Sequence, residues 1–173
     1  DYFSPFYKTD KPILAIQPHG GPEGLGYQYS WTRDVPSPIV NEVLEYYKES
    51  HTIIHIKRQD QIIYPDTLQA LDGFRSIAIL LQLSDKRLLI DSFTQHMAAA
   101  LNLKSTVCWI STKPEVFGYK LHDNVKAEPF TKEPDLTAAA YNPFHLTQDI
   151  HSIPYNDLNE VFTTDKIVTS LNS

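Results

Sequence analysis

The residues best suited to chemistry lie at one junction, which reads Asp91-Ser92-Phe93-Thr94-Gln95-His96. The apolar run at 88–90 that precedes them is typical of a strand buried on both faces. The residues at 95–101 that follow have the alanine content and apolar spacing of a helix. Ser92 and Gln95, three residues apart, match a capping box. The sequence therefore predicts a strand that ends at Asp91 and passes directly into a helix.

A junction of this kind is suited to binding phosphate. The first N–H groups of a helix have no partner within it, and the helix dipole adds partial positive charge there. Ser92 and Thr94 add hydroxyls, and His96 lies one helical turn after Ser92. We therefore hypothesise a phosphate site at Asp91–His96. The alternative is that Ser92 only caps the helix and that His96 is an ordinary surface histidine.

Two other loops would reach the same edge of a parallel sheet. The loop at 18–36 holds four of the six glycines and the polar side chains of Ser30, Thr32 and Arg33. The loop that begins at 111 holds Thr112 and Lys113. Because ligands of open α/β sheets bind beyond the carboxyl ends of the strands, donors on facing loops would clamp a diphosphate. Arg33 could bind it through two parallel hydrogen bonds.

The elements that must position these residues alternate between strand and helix, which predicts an α/β fold with a Rossmann-like, doubly wound parallel sheet of about five or six strands. Residues 1–12 are predicted to be a linker, and 13–173 a single domain that is irregular from about 111. An edge strand at 125–130 and a closing helix at 157–171 follow. The other predicted strands are 13–17, 52–57, 68–71, 88–91 and 106–110, and the helices are 38–50, 76–83 and 92–103.

Composition excludes several classes of function. The 173 residues include 15 basic and 21 acidic side chains, a net charge of −6, and no basic cluster, which argues against nucleic-acid binding. One cysteine, Cys108, permits no disulfide within the chain. No run of about 20 apolar residues could span a membrane. Because Asp1 opens the sequence, we expect a fragment or a processed chain.

Other motifs fit the sequence poorly. The glycine-rich loop matches neither a dinucleotide-binding fingerprint nor a Walker sequence, and no G-x-S-x-G elbow accompanies His19-Gly20-Gly21. The histidines His51 and His55, four apart, are more often satisfied locally than bound to metal. Asp34, Asp60 and Asp66 have no acidic partner at informative spacing, which predicts solvated or capping residues.

The segment Asp91-Ser92-Phe93-Thr94-Gln95-His96-Met97-Ala98-Ala99-Ala100-Leu101 resembles the D-[ST]-G-x-x-H-x-A-A-A-L segment of glycosyltransferase family 9, the heptosyltransferases of lipopolysaccharide synthesis. The segment at 13–18 resembles the strand that opens the second domain of these enzymes. Thr32, Arg33 and Pro36 fall near the basic residue and the W-P pair of the family. Thr106–Ile110, with Thr112 and Pro114, resembles the next strand and its loop. The likeness covers about residues 11–125.

This resemblance implies the carboxyl-terminal half of a GT-B fold, the domain that binds a nucleotide-sugar donor. The diphosphate would then lie at Asp91, Ser92, Phe93 and Thr94, and Asp60 is the nearest candidate for the ribose. No cofactor and no metal are expected. The implied partners are the nucleotide-sugar and a missing amino-terminal acceptor domain, with no nucleic acid. The implied location is cytoplasmic, with at most peripheral contact at the inner face of the membrane.

The chain departs from the family pattern at three points. Phe93 replaces the family glycine, and Arg33 stands in a longer loop where lysine is common. The family's catalytic base belongs largely to the missing domain, so no catalytic residue is predicted. Two alternative functions stay open: a non-catalytic nucleotide or sugar-phosphate-binding module, and half of a GT-B sugar-nucleotide epimerase.

Overall fold

The structure, a computed structural model, describes residues 9–20, 29–70, 73–133 and 153–173. Its centre is a six-stranded, fully parallel sheet in the order β3-β2-β1-β4-β5-β6. The strands are β1 Ile13–Ile16, β2 Thr52–Ile56, β3 Leu68–Ala70, β4 Lys86–Ile90, β5 Thr106–Trp109 and β6 Asp123–Lys126. This order is that of a doubly wound Rossmann-like sheet, so the predicted fold class is confirmed.

Helices cover both faces of the sheet, because strands buried on both sides need apolar partners above and below. The helices are α1 Ser37–Tyr47, α2 Phe74–Leu83, α3 Phe93–Ala100, α4 Pro114–Phe117 and α5 Thr164–Leu171. Apolar side chains of α1 and α5 pack into a core on one face. Those of α2 and α3 pack into a second core on the other face.

At the amino edge of the sheet, a buried arginine ties α2 to the chain that follows α3. The guanidinium of Arg87 donates hydrogen bonds to the carbonyl oxygens of Leu81 at 3.0 Å, Ser84 at 2.7 Å and Lys104 at 3.1 Å. Burial lowers the pKa of Arg87. This contact stabilises the edge opposite to the predicted site.

The predicted strands and helices agree with the structure within a few residues for most of the chain, and the exceptions have local causes. The loop predicted at 111–124 contains the short helix α4, which begins at a proline. The predicted edge strand at 125–130 occurs as β6, which begins two residues earlier and ends four residues earlier. The closing helix is divided into a 3-10 turn, Leu158–Glu160, and α5. Most of the predicted linker, and most of the irregular segment at 131–154, lie outside the described residues.

The start of α3 corrects the predicted capping box. Ser92 is the residue before the helix, but its side chain makes no capping hydrogen bond. The side-chain amide of Gln95 donates instead to the carbonyl oxygen of Phe117 at 3.2 Å. The two residues therefore have the spacing of a capping box without its hydrogen bonds, because each side chain has a partner from another part of the chain.

Candidate functional site

A cavity of about 460 Å³ lies where β1, β2 and β4 end, which is where ligands bind in open α/β sheets. We call it the central cavity. Three of its described lining residues are cationic and none is acidic. The described lining consists of Gln17, His19, Gly20, Arg33, Ile56, Lys57, Arg58, Gln61, Gly73, Phe74, Ile77, Ser92 and Phe93.

Two helices begin at the wall of the central cavity. The helix α2 starts after Gly73, and α3 starts after Ser92, so the unpaired N–H groups of both first turns lie at this edge. Gly73 has a φ of 78°, a left-handed conformation that glycine adopts without strain. Because both helix dipoles place positive potential here, they favour an anionic ligand.

The side chain of Gln17, just beyond β1, holds the start of α3. Its Nε2 donates a hydrogen bond to Ser92 Oγ at 3.1 Å, and its Oε1 accepts one from the Thr94 hydroxyl. Since Ser92 Oγ acts as acceptor in this bond, its own proton is available to a ligand in the cavity. Thr94 is fully buried, so its hydroxyl supports Gln17 and does not line the cavity.

Arg33 lines the cavity, and its side-chain stem packs against the backbone of Gly20. A β-carbon built on Gly20 would lie 2.9 Å from Cδ of Arg33 and 3.5 Å from Cδ1 of Ile90, which places the stem of Arg33 beside the end of β4. The guanidinium has no hydrogen bond or ion pair to another described residue. Arg33 therefore keeps its donors for a ligand.

A buried carboxylate fixes the loop that carries Arg33. Asp34 is fully buried and accepts hydrogen bonds from the backbone N–H groups of Gly20 at 2.8 Å and Ser30 at 3.0 Å. Of the two roles predicted for Asp34, solvated or capping, the solvated one is wrong, since its carboxylate is buried and accepts hydrogen bonds from backbone N–H groups. The sequence could not show its burial, because its partners are brought together by the fold of the loop.

The residues after β2 supply the other side of the cavity. Arg58 Nε donates to Asp60 Oδ1 at 3.1 Å, and Arg58 Nη1 donates to the carbonyl of Gly20 at 3.3 Å. Asp60 is therefore engaged by Arg58 and is not among the described cavity-lining residues. Lys57 lines the cavity, is 5% exposed, and has no hydrogen bond or ion pair from its amine to the rest of the described chain. Burial lowers the pKa of Lys57.

Histidine and tyrosine rings form the layer beneath this loop. His19 Nε2 and the Tyr64 hydroxyl are 2.6 Å apart, and the rings stack with their centroids 5.7 Å apart. Burial lowers the pKa of His19 from 6.5 to about 3 and that of His55 to about 4. Both imidazoles are therefore neutral at neutral pH and add no charge to the cavity.

Two phenylalanines stand at the rim of the cavity. The rings of Phe74 and Phe93, the first residues of α2 and α3, meet edge to face with centroids 5.4 Å apart. Phe74 is 71% exposed and Phe93 is 38% exposed. The side chain that replaces the family glycine therefore gives the cavity an aromatic rim.

The structure brings some of the predicted site residues together and separates others. Ser92, Phe93 and Arg33 line the central cavity. Asp91 lies next to them and accepts a hydrogen bond from the Thr112 hydroxyl at 2.6 Å. His96 lies outside the cavity, with Nδ1 3.1 Å from the Tyr119 hydroxyl. The hydroxyls of Ser30 and Thr32 are buried and 3.0 Å apart, away from the lining.

Thr112 and Lys113 line a second, larger cavity of about 760 Å³ between the ends of β5 and β6. We call it the lateral cavity. Its charged lining residues are two lysines and two glutamates, and Lys126 forms an ion pair with Glu115. Its positive and negative charges therefore balance. Although the lateral cavity is larger, it is less suited to binding an anion than the central cavity is.

The histidine pair considered as a metal site is split by the fold. His51 Nδ1 is 2.8 Å from the Ser50 hydroxyl near the surface, whereas His55 is fully buried. The described ranges contain no group of three or more histidine, cysteine or acidic side chains arranged to hold a metal ion. None of their helices has the length and apolar character needed to cross a membrane.

The sequence analysis missed Gln17, Lys57, Arg58 and Phe74 in the central cavity. A usable signal was present for two of them, because Lys57 and Arg58 directly follow a buried strand, just as Ser92 does. No sequence signal indicates the role of Gln17, because a glutamine after a strand suggests no particular function unless its hydrogen-bond partner is known.

The fold is similar to that of solved glycosyltransferase structures. The glycosyl transferase family 9 structure from Veillonella parvula DSM 2008 has a TM-score of 0.61 at 11% identity, over 99% of this chain and 48% of that one. E. coli ADP-heptose LPS heptosyltransferase II has a TM-score of 0.60 at 12% identity, over 99% and 49%. E. coli heptosyltransferase WaaC with ADP has a TM-score of 0.55 at 14% identity, over 69% and 39%.

These similarities establish the fold. The chain spans about half the length, or less, of each of these structures. No family model matches the sequence, and no curated protein does. The resemblance to glycosyltransferase family 9 is thus confirmed as a likeness of fold, and the α/β architecture is that expected for the carboxyl-terminal half of a GT-B structure.

Proposed function

We propose that this chain is the nucleotide-sugar donor-binding domain of a glycosyltransferase that acts on a glycan or a lipopolysaccharide-type acceptor. One observation carries the proposal. The central cavity combines two helix amino ends, Ser92 and the Arg33 guanidinium, which has no partner among the described residues, and its described lining contains no acidic residue. The likeness of fold to glycosyltransferase structures, one of them with ADP, supports a nucleoside diphosphate as the ligand.

In this proposal the chain's residues stabilise the leaving group. When the bond to the sugar breaks, negative charge grows on the diphosphate. The first N–H groups of α3, the Ser92 proton and the Arg33 guanidinium are held in place before the reaction and would meet that charge. Because the cations are supplied by the chain, we expect no metal requirement for nucleotide binding.

The test is isothermal titration of the 173-residue chain with ADP, UDP and GDP. We expect one of them to bind, with equal affinity in EDTA and in Mg²⁺. Arg33→Met should weaken that binding by about 1.5–3 kcal/mol, the range for hydrogen bonds to charged groups. The matched control is Lys48→Met, which removes a cation that follows α1 at the opposite edge of the sheet and should leave affinity unchanged.

Two results would overturn the proposal. One is a folded chain that binds none of the three nucleotides, and the other is equal affinity in wild type and Arg33→Met. Binding of sugar phosphates without binding of nucleotides would favour the sugar-phosphate module instead.

A further inference from the structure

Lys57 is a largely buried lysine whose amine contacts no carboxylate among the described residues. The residue is 5% exposed, it lines the central cavity, and its amine makes no hydrogen bond or ion pair to any other described residue. Burial lowers the pKa of Lys57, and the charge of Asp60 partly offsets this. The stem of Lys57 is buried while its amine reaches the cavity, where no described carboxylate neutralises it. A cation placed in this way points to an anion bound there.

The neighbouring arginine differs from Lys57 in this respect. Arg58 shares its charge with Asp60, at 3.1 Å between Nε and Oδ1, and also binds the backbone of Gly20. These contacts explain the position of Arg58 without a bound ligand. Lys57 and Arg33 are the two lining cations that have no carboxylate partner within the described part of the chain.

These two cations reach the cavity from opposite sides of β1. The strands β2 and β4 are the two neighbours of β1 in the sheet. Lys57 follows β2, whereas the stem of Arg33 lies beside Ile90 at the end of β4. Neighbouring strands are about 4.8 Å apart, so the ends of β2 and β4 are separated by about 10 Å. A ligand above β1 would lie between them.

We propose that Lys57 is a second anion-binding residue of the central cavity, which contacts a diphosphate from the β2 side while Arg33 and the start of α3 contact it from the β4 side. The ligand class is a diphosphate, because two linked phosphates can contact cations on both sides of β1, whereas a single phosphate reaches both less well. The identity of the ligand as a nucleotide rests on the proposed function, whereas the contact between Lys57 and phosphate does not.

The experiment is titration of the whole chain with ADP, AMP and inorganic pyrophosphate. We expect wild type to prefer ADP over AMP by about tenfold or more, and Lys57→Met to lose about tenfold to hundredfold in ADP affinity. The preference for ADP over AMP should shrink in Lys57→Met, and Lys57→Arg should keep most of it. Lys48→Met serves again as the matched control. Far-ultraviolet circular dichroism and urea unfolding establish that each variant is folded.

The outcomes separate this inference from the proposed function. If Lys57→Met binds ADP as wild type does, the inference is wrong and the donor-binding function stands. If pyrophosphate binds in a Lys57-dependent way and no nucleotide binds, the inference holds and the donor-binding function fails. If wild type binds neither pyrophosphate nor any of ADP, UDP and GDP, both are overturned.

Discussion

Gln17 Nε2 donates a hydrogen bond to Ser92 Oγ at 3.1 Å, which joins the end of β1 to the start of α3 across 75 positions of sequence. These two elements come from adjacent strands at the point where the strand order reverses, β1 beside β4. The bond therefore orients the hydroxyl that we propose meets the ligand, and it explains why Ser92 does not cap its own helix.

We expect Gln17→Met to lower the free energy of unfolding by about 1–3 kcal/mol, because the fully buried Thr94 hydroxyl loses its partner. Urea denaturation measures this change. The double variant Gln17→Met/Thr94→Val removes both polar groups and should be more stable than Gln17→Met alone. If the double variant is less stable than both single variants, the hydrogen bond between Thr94 and Gln17 does not have the stabilising role proposed for it.

Ser92 and His96 should differ in their effect on ligand binding. Ser92→Ala should weaken ADP binding, since Ser92 lines the central cavity. His96→Ala should change ADP affinity by less than about 0.5 kcal/mol, the scale of ordinary surface substitutions, because His96 lies beside Tyr119 and outside the described lining. Titration calorimetry of both variants checks this. A larger loss in His96→Ala than in Ser92→Ala would instead support the hypothesis that His96 belongs to the phosphate site.

Stability should fall as the pH drops from 6.5 towards 4. Burial lowers the pKa of His19 from 6.5 to about 3 and that of His55 to about 4, so in this window the unfolded chain binds more protons than the folded chain. The free energy of unfolding therefore rises with pH, by up to about 1.4 kcal/mol per unit for each histidine. Urea unfolding at pH 7, 5.5 and 4.5 measures it.

Other titrating groups do not obscure this window. Burial also lowers the pKa of His51 and His122, which acts in the same direction. Carboxyls with lowered pKa, such as Asp123 and Glu128, lose their stabilising effect only as the pH falls below about 4.5, where unfolded carboxyls titrate. Stability that is constant between pH 7 and 4.5 would contradict the neutral, buried state of these histidines.

His55→Leu should raise the free energy of unfolding at pH 7 by about 1–3 kcal/mol. Both ring nitrogens of His55 are buried and have no hydrogen-bond partner among the described residues, and leucine removes that cost at similar volume. It should also flatten the pH dependence. The contrasting variant is His122→Leu, which removes a bond of 3.0 Å to the carbonyl of Gln95 and should be destabilising. A clear loss of stability in His55→Leu would show that His55 has a partner.

Arg87→Met should lower the free energy of unfolding by about 3 kcal/mol, because three carbonyl acceptors, two of them in buried hydrogen bonds, lose a charged donor. Nucleotide binding should persist in the folded fraction, since Arg87 lies at the opposite edge of the sheet. Arg75→Met, at an exposed site in the first turn of α2, is the control and should change stability by about 0.5 kcal/mol or less. Equal stability of the two variants would remove the structural role assigned to Arg87.

The sequence by itself determined the order of the elements and the fold class. Buried runs such as Leu88–Ile90 are apolar without alternation, and the spacing in 93–100 is helical, so local physics alone identifies a parallel α/β unit. It also placed Ser92 at a strand-to-helix junction, and it placed Arg33 on a loop that reaches the same edge. Both follow from general rules for the order of strands, loops and helices in parallel α/β chains.

The tertiary structure decided which side chains meet. The partner of Ser92 is Gln17 and not Gln95, Asp34 is buried and not solvated, and Lys57 lines the cavity that Thr94 and His96 do not. Each of these facts depends on strands distant in sequence becoming neighbours in the order β2-β1-β4. Burial and hydrogen bonding are properties of that assembled environment, so residue type and spacing along the chain cannot fix them.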